Sequence, residues 1–185
     1  MLAGDRQDQP TAAVDIPEPR PPDDALPAGE GTRRGPVPRA IPLLGLLIVL
    51  AGLAVSTYLT IAHYGSSSIL ACPGTRVINC ERVTTSPESR ILGIPVAVLG
   101  LVFFAVMAVA MLPASWRLEH PAVRYGRSLF ALTGVGMVFY LVYTELFTLD
   151  AICLWCTAVH VLTVALFTVT LAGTVLAAPA TSRDD

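Results

Sequence analysis

Residues 41–63 read IPLLGLLIVLAGLAVSTYLTIAH and contain no charged side chain when His63 is neutral. A helix of about 20 apolar residues matches the roughly 30 Å hydrocarbon core of a bilayer. The stretch therefore predicts a transmembrane helix, and it decides the class of the protein. The composition agrees with this class, because 54% of the 185 residues are hydrophobic, 14% are charged and the mean hydropathy is +0.64. Soluble domains carry about a quarter charged residues.

Three further apolar runs follow, at about 93–113, 126–147 and 151–178. Only a short segment around Asp150 separates the last two runs, so we expect these two helices to form an antiparallel pair joined by a tight turn. The sequence thus predicts an all-α, integral membrane four-helix bundle, with a long extracytoplasmic loop, 64–92, between helices one and two.

The placement of arginines predicts the orientation of this bundle. Seven arginines fall on one side of a four-span protein: Arg33, Arg34, Arg39, Arg117, Arg124, Arg127 and Arg183. The 64–92 loop on the other side holds three, which Glu81 and Glu88 partly offset. The positive-inside rule therefore puts both termini in the cytoplasm of a multi-pass protein of the cell (inner or plasma) membrane, and the loop outside.

The chain ends differ in composition from the membrane domain, which we place at 39–178. Residues 1–38 are rich in Pro, Asp, Glu, Ala and Gly. Such a segment buries too little apolar surface to offset its ordering entropy, so it predicts a disordered cytoplasmic tail. It lacks the basic and apolar regions of a signal peptide. A short cytoplasmic tail is expected at 179–185.

The chain has four cysteines, Cys72, Cys80, Cys153 and Cys156, and the expected topology places all four on the oxidising, extracytoplasmic side. Cys153-Leu154-Trp155-Cys156 lies at the start of helix four. A Cys-x-x-Cys at this position is suited to redox chemistry, because the helix dipole favours the thiolate of the first cysteine and the second closes a disulfide over a short loop. The motif predicts a reactive pair.

Two other interpretations of the cysteines remain open at this point. One is a non-catalytic membrane protein with two structural disulfides. The other is a four-cysteine zinc site, which an oxidising face and the absence of a soluble ribbon disfavour, so we expect no metal. The net charge of −2 and the pI near 5.9 provide no basic field for nucleic acid.

Four motifs together resemble the vitamin K epoxide reductase (VKOR) family, over roughly residues 41–175. They are CPGTRVINC at 72–80, Ser86, Gly93-Ile-Pro95, and AICLWCTAVH at 151–160. The order of the two cysteine pairs is the reverse of that in DsbB-type quinone reductases. The resemblance is strongest to bacterial members, here without a fused thioredoxin-like domain.

The resemblance implies an oxidoreductase that oxidises a separate, DsbA-like thioredoxin-fold partner and reduces a quinone, menaquinone or ubiquinone, within the lipid bilayer. Cys153 and Cys156 match the active pair, and Cys72 and Cys80 match the loop shuttle pair. In the implied relay a partner thiolate attacks Cys72, Cys80 then attacks Cys153, and Cys156 passes electrons to the quinone.

Ser86 matches the supporting loop serine of the family, and Thr85 takes its place if the register shifts by one. His160 lies one turn beyond Cys156 and is expected to support catalysis or bind quinone, with a structural hydrogen bond as the alternative. Trp155 is expected either to wall the quinone site or to pack in the interfacial belt.

Two departures from the animal pattern argue against animal-type epoxide chemistry. Pro87 and Glu88 stand where an aromatic residue is often found, and His160 stands where animal members carry tyrosine. Reduction of a quinone epoxide stays the alternative activity. Glu145 and Asp150, near the outer end of helix three, are interpreted as solvated interfacial residues. Ser56 is expected to hydrogen-bond within the bundle.

Overall fold

The structure, a computed structural model, describes residues 38–65, 69–117 and 120–176. The tails expected at 1–38 and 179–185 lie outside these residues, apart from Pro38. The elements follow one another in this order: α1 (Ala40–Tyr64), α2 (Cys80–Thr85), a 3-10 helix (Pro87–Ser89), β1 (Arg90–Ile91), β2 (Ile94–Pro95), α3 (Val96–Met111), α4 (Pro113–Arg117), α5 (Pro121–Phe147) and α6 (Leu154–Leu176).

Three of the described helices, α1, α5 and α6, are long and apolar enough to cross a membrane. The helix α3 is apolar but shorter. Its 16 residues extend for about 24 Å at 1.5 Å per residue, which is less than the hydrocarbon core. All four helices have one end near the cysteines, because α1 ends and α3 begins there, and α5 ends and α6 begins there.

Local chemistry explains where the apolar runs stop being helical. The run expected at 93–113 begins in a tight antiparallel hairpin, where Leu92 and Gly93 have positive φ values of 53° and 82° and Arg90 pairs with Pro95. It ends at Leu112, whose ψ of 141° suits the residue before a proline. The helix α5 begins at Pro121, earlier than expected, because the His120 side chain accepts a hydrogen bond from the Ala122 N–H (3.3 Å).

Small residues on α1 let α3 approach closely. A Cβ atom on Gly52 would lie 2.3 Å from the ring of Phe104, and one on Gly45 would lie 2.6 Å from the sulfur of Met111. Phe104 and Met111 are fully buried there, in a central core with Val49. Close approach of helix backbones through small residues is the usual way in which membrane helices pack.

The outward faces of the long helices are apolar. Large side chains more than half exposed include Leu47 on α1, Phe139 on α5 and Val161 on α6. Soluble proteins rarely leave so much contiguous apolar surface in water. A surrounding hydrocarbon phase accounts for it, and the protein is a membrane protein.

The contact between Gly52 and Phe104 yields a stability prediction. We expect Gly52→Ala to lower the free energy of unfolding by about 1–3 kcal/mol, because the added methyl group overlaps the buried ring of Phe104. The matched control is Gly136→Ala on α5, where an added Cβ meets nothing within 4 Å. It should leave stability unchanged or raise it by up to about 1 kcal/mol. Unfolding in detergent would measure both variants, and equal effects would contradict the packing argument.

Candidate thiol redox site

A backbone bridge joins the segment before α2 to the segment before α6. The N–H of Ile152 donates to the carbonyl oxygen of Val77 (2.8 Å), and the N–H of Asn79 donates to the carbonyl oxygen of Ile152 (3.1 Å). Ile78 and Ile152 thereby form an isolated parallel bridge. Cys80 follows Asn79, and Cys153 follows Ile152. The bridge therefore places one cysteine of each pair beside the segment that holds a cysteine of the other pair.

All four cysteines belong to one packed cluster. Cys80 (1% exposed) and Cys153 (0%) are buried in it together with Leu59 of α1, and Cys72 and Cys156 pack against it. Cys80 is the first residue of α2, whose N-terminus is capped by Asn79: its side chain accepts a hydrogen bond from the Arg82 N–H (2.9 Å). Burial keeps water and small thiols away from the two inner sulfur atoms.

The two pairs differ in redox state. Cys72 and Cys80 form a disulfide, with their Cα atoms 6.1 Å apart, whereas Cys153 and Cys156 are thiols. Cys153 precedes α6, and its sulfur accepts a hydrogen bond from the backbone N–H of Cys156 (3.3 Å). A hydrogen bond from the Cys156 thiol lowers the pKa of Cys153, and backbone N–H groups of Cys156 and Trp155 act in the same direction, while burial and the charge of Glu145 oppose them. Cys153 is therefore the sulfur of this pair that is prepared to be a thiolate.

Two aromatic side chains hold the chain that leads to Cys72. The Tyr58 hydroxyl donates to the carbonyl oxygen of Ile69 (2.7 Å) and accepts from the N–H of Ala71 (3.0 Å). The indole N–H of Trp155 donates to the carbonyl oxygen of Ala71 (3.1 Å). The two rings meet edge to face, with centroids 4.9 Å apart. The loop is thus fixed to α1 and α6 at the residue next to Cys72.

A cavity of about 340 Å³ is lined by residues of α1, α3, α5 and α6 and by residues of the segment that contains α2 and the 3-10 helix. Its walls are mostly apolar. Cys156 is the one cysteine that lines it, whereas Cys153 does not. The polar groups in the wall include Ser56, Ser86, Glu145 and His160. The cavity therefore meets the redox pair at a single sulfur atom.

The structure distinguishes the two candidate loop residues. Ser86 is buried, lines the cavity and caps the 3-10 helix, because its hydroxyl accepts from the Ser89 N–H (3.2 Å) and donates to the Val83 carbonyl (3.1 Å). Thr85 is exposed and bonds to Glu81 within α2. Of the two alternatives, Ser86 is thus the residue beside the cavity. Its role in catalysis stays a prediction.

The other predicted site residues divide between two places. His160 is buried and lines the cavity one turn from Cys156, as its spacing suggested. Trp155 is not part of the cavity wall, and its contacts are with Tyr58 and the Cys72 loop. Its proposed contact with quinone stays a prediction, and the observed contacts favour a role in holding the loop.

For two cavity residues the structure differs from the interpretation of the sequence, in which Glu145 was solvated and Ser56 was hydrogen-bonded within the bundle. Glu145 is 6% exposed and lines the cavity, while Asp150 is exposed in the turn that follows. Ser56 is also buried in the cavity wall, and its hydroxyl has no hydrogen-bond partner among the described residues. The signal for both was a polar residue inside an apolar run, which is costly unless it has a function or a partner.

Comparison with known families agrees with this arrangement. The model of the vitamin K epoxide reductase family matches residues 43–171, which is more than half of the chain. The chain belongs to the vitamin K epoxide reductase family. The matched segment includes all four cysteines, the backbone bridge and the whole cavity wall. A VKOR protein is a membrane oxidoreductase, and the resemblance stated from the motifs is confirmed.

The aromatic anchor of the Cys72 loop is open to a direct test. Tyr58→Phe removes one donor and one acceptor while keeping the ring contact with Trp155, and we expect a loss of about 1 kcal/mol in the local opening free energy. Amide hydrogen exchange at Ala71 should then be about fivefold faster. Tyr140→Phe on the exposed face of α5 is the control and should change nothing at residues 69–72. Unchanged exchange in the Tyr58 variant would contradict the anchoring role.

Proposed function

We propose that this VKOR protein is a membrane thiol–quinone oxidoreductase that oxidises a separate, DsbA-like thioredoxin-fold protein and thereby supports disulfide bond formation. One observation carries the proposal: Cys156 lines the cavity, whereas its partner Cys153 is buried in the cluster that holds Cys80. The two sulfurs of the Cys-x-x-Cys thus face two different reaction partners. A pair of structural disulfides would need no such division.

The exposure of the four cysteines suits a relay in one direction. Cys72 is half-buried and is followed by exposed residues 73–77, whereas Cys80 is buried. A thiolate of the partner protein therefore attacks Cys72, which releases Cys80. Cys80 attacks Cys153 of the oxidised Cys153–Cys156 pair and releases Cys156. The second thiolate of the partner attacks its mixed disulfide with Cys72, which completes the partner's own disulfide and releases Cys72. Cys72 then attacks Cys80 in the Cys80–Cys153 disulfide, so that the Cys72–Cys80 disulfide forms again and Cys153 is released. One disulfide is broken and one is formed at each exchange.

The cavity suits a quinone as the electron-accepting substrate. Its volume of about 340 Å³ lies within the usual range of small-molecule sites, and its apolar wall matches the ring and the isoprenoid chain of menaquinone or ubiquinone. The unpartnered hydroxyl of Ser56 and the ring of His160 are available to bond quinone oxygens. The thiol pair gives up two electrons and two protons, and the quinone takes up both to become the hydroquinone.

A four-span topology in the cell membrane goes with this function. The helices α1, α3, α5 and α6 run alternately toward and away from the cysteines, so both described chain ends lie away from them. With both termini cytoplasmic, the cysteines face the extracytoplasmic side, where a secreted partner is found. A reporter enzyme that is active only in the cytoplasm should work when fused after Asp185. Activity of a secreted-only reporter at that position would overturn this orientation.

The division of roles predicts two classes of cysteine variant. Cys153→Ala and Cys156→Ala should reduce quinone at least about 100-fold more slowly with any thiol donor, because no dithiol remains at the cavity. Cys72→Ala and Cys80→Ala should lose turnover with a thioredoxin-fold donor. They should keep it with a small, membrane-permeant dithiol, which reaches Cys156 through the cavity. Quinone absorbance in proteoliposomes would follow the reaction, with the lipid-facing Thr168→Ala as the control.

Three outcomes would contradict the proposal. Wild-type rates in both Cys153→Ala and Cys156→Ala would exclude the relay. Turnover of a quinone epoxide in place of the quinone would favour the alternative activity, epoxide reduction. A fixed Cys72–Cys80 and Cys153–Cys156 pairing under all redox conditions, seen by mass spectrometry after alkylation, would favour structural disulfides instead.

A further inference from the structure

A carboxyl group lies inside the redox site. Glu145 is two residues from the end of α5, where a solvated side chain was expected, yet it is 6% exposed and lines the same cavity as Cys156. The nearby Asp150 is exposed. Burying a carboxyl group without a function or a partner costs several kcal/mol, so its position calls for an explanation.

The turn between α5 and α6 places Glu145 beside the cysteines. The N–H of Leu149 donates to the carbonyl oxygen of Thr144 (3.0 Å), and the N–H of Ala151 donates to the carbonyl oxygen of Glu145 (3.1 Å). These two bonds fold residues 149–153 back over the end of α5. The backbone N–H of Cys153 is thereby brought close to the Glu145 carboxyl group.

Glu145 interacts electrostatically with both thiols of the pair. In a low-dielectric site two adjacent negative charges are strongly disfavoured, so a carboxylate and a thiolate exclude each other. Moving a proton from a thiol to the carboxylate keeps the total charge of the site at −1. The thiolate that the redox step needs is therefore formed most easily when Glu145 accepts the proton.

We propose that Glu145 is the proton carrier of the thiol–quinone step, taking the proton of the Cys156 thiol and passing it to a quinone oxygen. This inference rests on the proposed function. The Cys156 thiolate then forms a bond to the quinone ring. Cys153 loses the second proton by the same route and attacks the Cys156 sulfur, so that the Cys153–Cys156 disulfide forms as the bond between Cys156 and the ring breaks and leaves its electron pair on the quinone. The quinone gains two electrons and two protons, so the step balances without a further reactant.

The other titratable groups of the cavity are placed less well for this role. His160 faces it from α6, one turn deeper than Cys156. His63 of α1 and Glu88 of the 3-10 helix lie at the loop side, where His63 contacts the Thr84 carbonyl (3.2 Å) and Arg90 (3.4 Å). Glu145 is the cavity residue that interacts with both sulfur atoms.

The test compares Glu145→Gln, Glu145→Asp and the control Asp150→Asn in single turnovers of pre-reduced protein with a water-soluble quinone. Glutamine keeps the size and the hydrogen-bond acceptor of Glu145 but does not carry the proton, so the rate at neutral pH should fall about 100-fold. Asp150→Asn should match the wild type, since asparagine tolerates the positive φ of 48° at that position.

The pH dependence separates proton transfer from a structural role. The wild-type rate should fall in acid as the carboxylate is protonated, and this fall should be absent in Glu145→Gln. The ratio of the wild-type rate to the Glu145→Gln rate should become smaller as pH rises, because hydroxide then removes the thiol proton. The rate at which the Cys80–Cys153 disulfide forms and is resolved should be the same in Glu145→Gln as in the wild type, because this exchange needs no quinone.

Three outcomes would overturn the inference. The first is a Glu145→Gln rate within about threefold of the wild-type rate, and the second is a loss of rate that is the same at every pH. The third is a loss of disulfide exchange as large as the loss of quinone reduction. If Glu145→Gln does not fold, Glu145→Asp decides. It should react about 10-fold more slowly with the wild-type fall in acid retained, and loss of that fall would overturn the proposal. Wild-type protein that fails to reduce quinone would instead refute the proposed function itself.

Discussion

The two backbone hydrogen bonds that join residues 77–79 to Ile152 are the constraint on which the redox site depends. Each is worth about 1 kcal/mol in water, and more where water is excluded. They connect segments more than 70 positions apart, and they do so with main-chain atoms, so no side chain has to be conserved for the contact to form. Cys80 and Cys153 follow the paired residues directly, and both are buried as a result. A change in this register by one residue would turn one of the two cysteines away from the other.

The bridge also separates two environments. On one side, Tyr58 and Trp155 hold the chain next to Cys72 at the surface of the bundle. On the other side, Cys156 meets an apolar cavity between the helices. The buried sulfur atoms of Cys80 and Cys153 lie between these environments. Their burial prevents small thiols and water from reacting with them in place of each other. This separation suits the proposed function, in which a protein thiol reacts at one end and a lipid-soluble acceptor at the other.

Much of this arrangement was accessible from the sequence, because long apolar runs and cysteine motifs are local signals. The runs at 41–63, 126–147 and 151–178 correspond to α1, α5 and α6, and the motif order predicted the family. The run at 93–113 exceeds α3, since hydropathy does not register the hairpin at Gly93 or the proline at 113. The pairing with Ile152 was not predictable, because it joins irregular segments without periodicity. Glu145 was misjudged for a related reason: a residue near a helix end is normally solvated, and only the following turn buries it.

Charge is what a relay in this position has to control. Every exchange between a thiolate and a disulfide produces one new thiolate. In the proposed relay a single negative charge therefore moves from the partner thiolate to Cys80 and then to Cys156, and the second exchange moves one from Cys72 to Cys153. Groups at helix N-termini stabilise the negative charge on two of these sulfur atoms. Cys80 lies at the N-terminus of α2, and Cys153 receives hydrogen bonds from the start of α6. The quinone step differs, because it consumes protons as well as electrons. The proposed place of this step is the cavity, and the described part of its wall contains a carboxyl group beside the redox pair. The placement of Glu145 thus follows from the same requirement as the placement of the cysteines, that the buried site never holds more than one uncompensated charge.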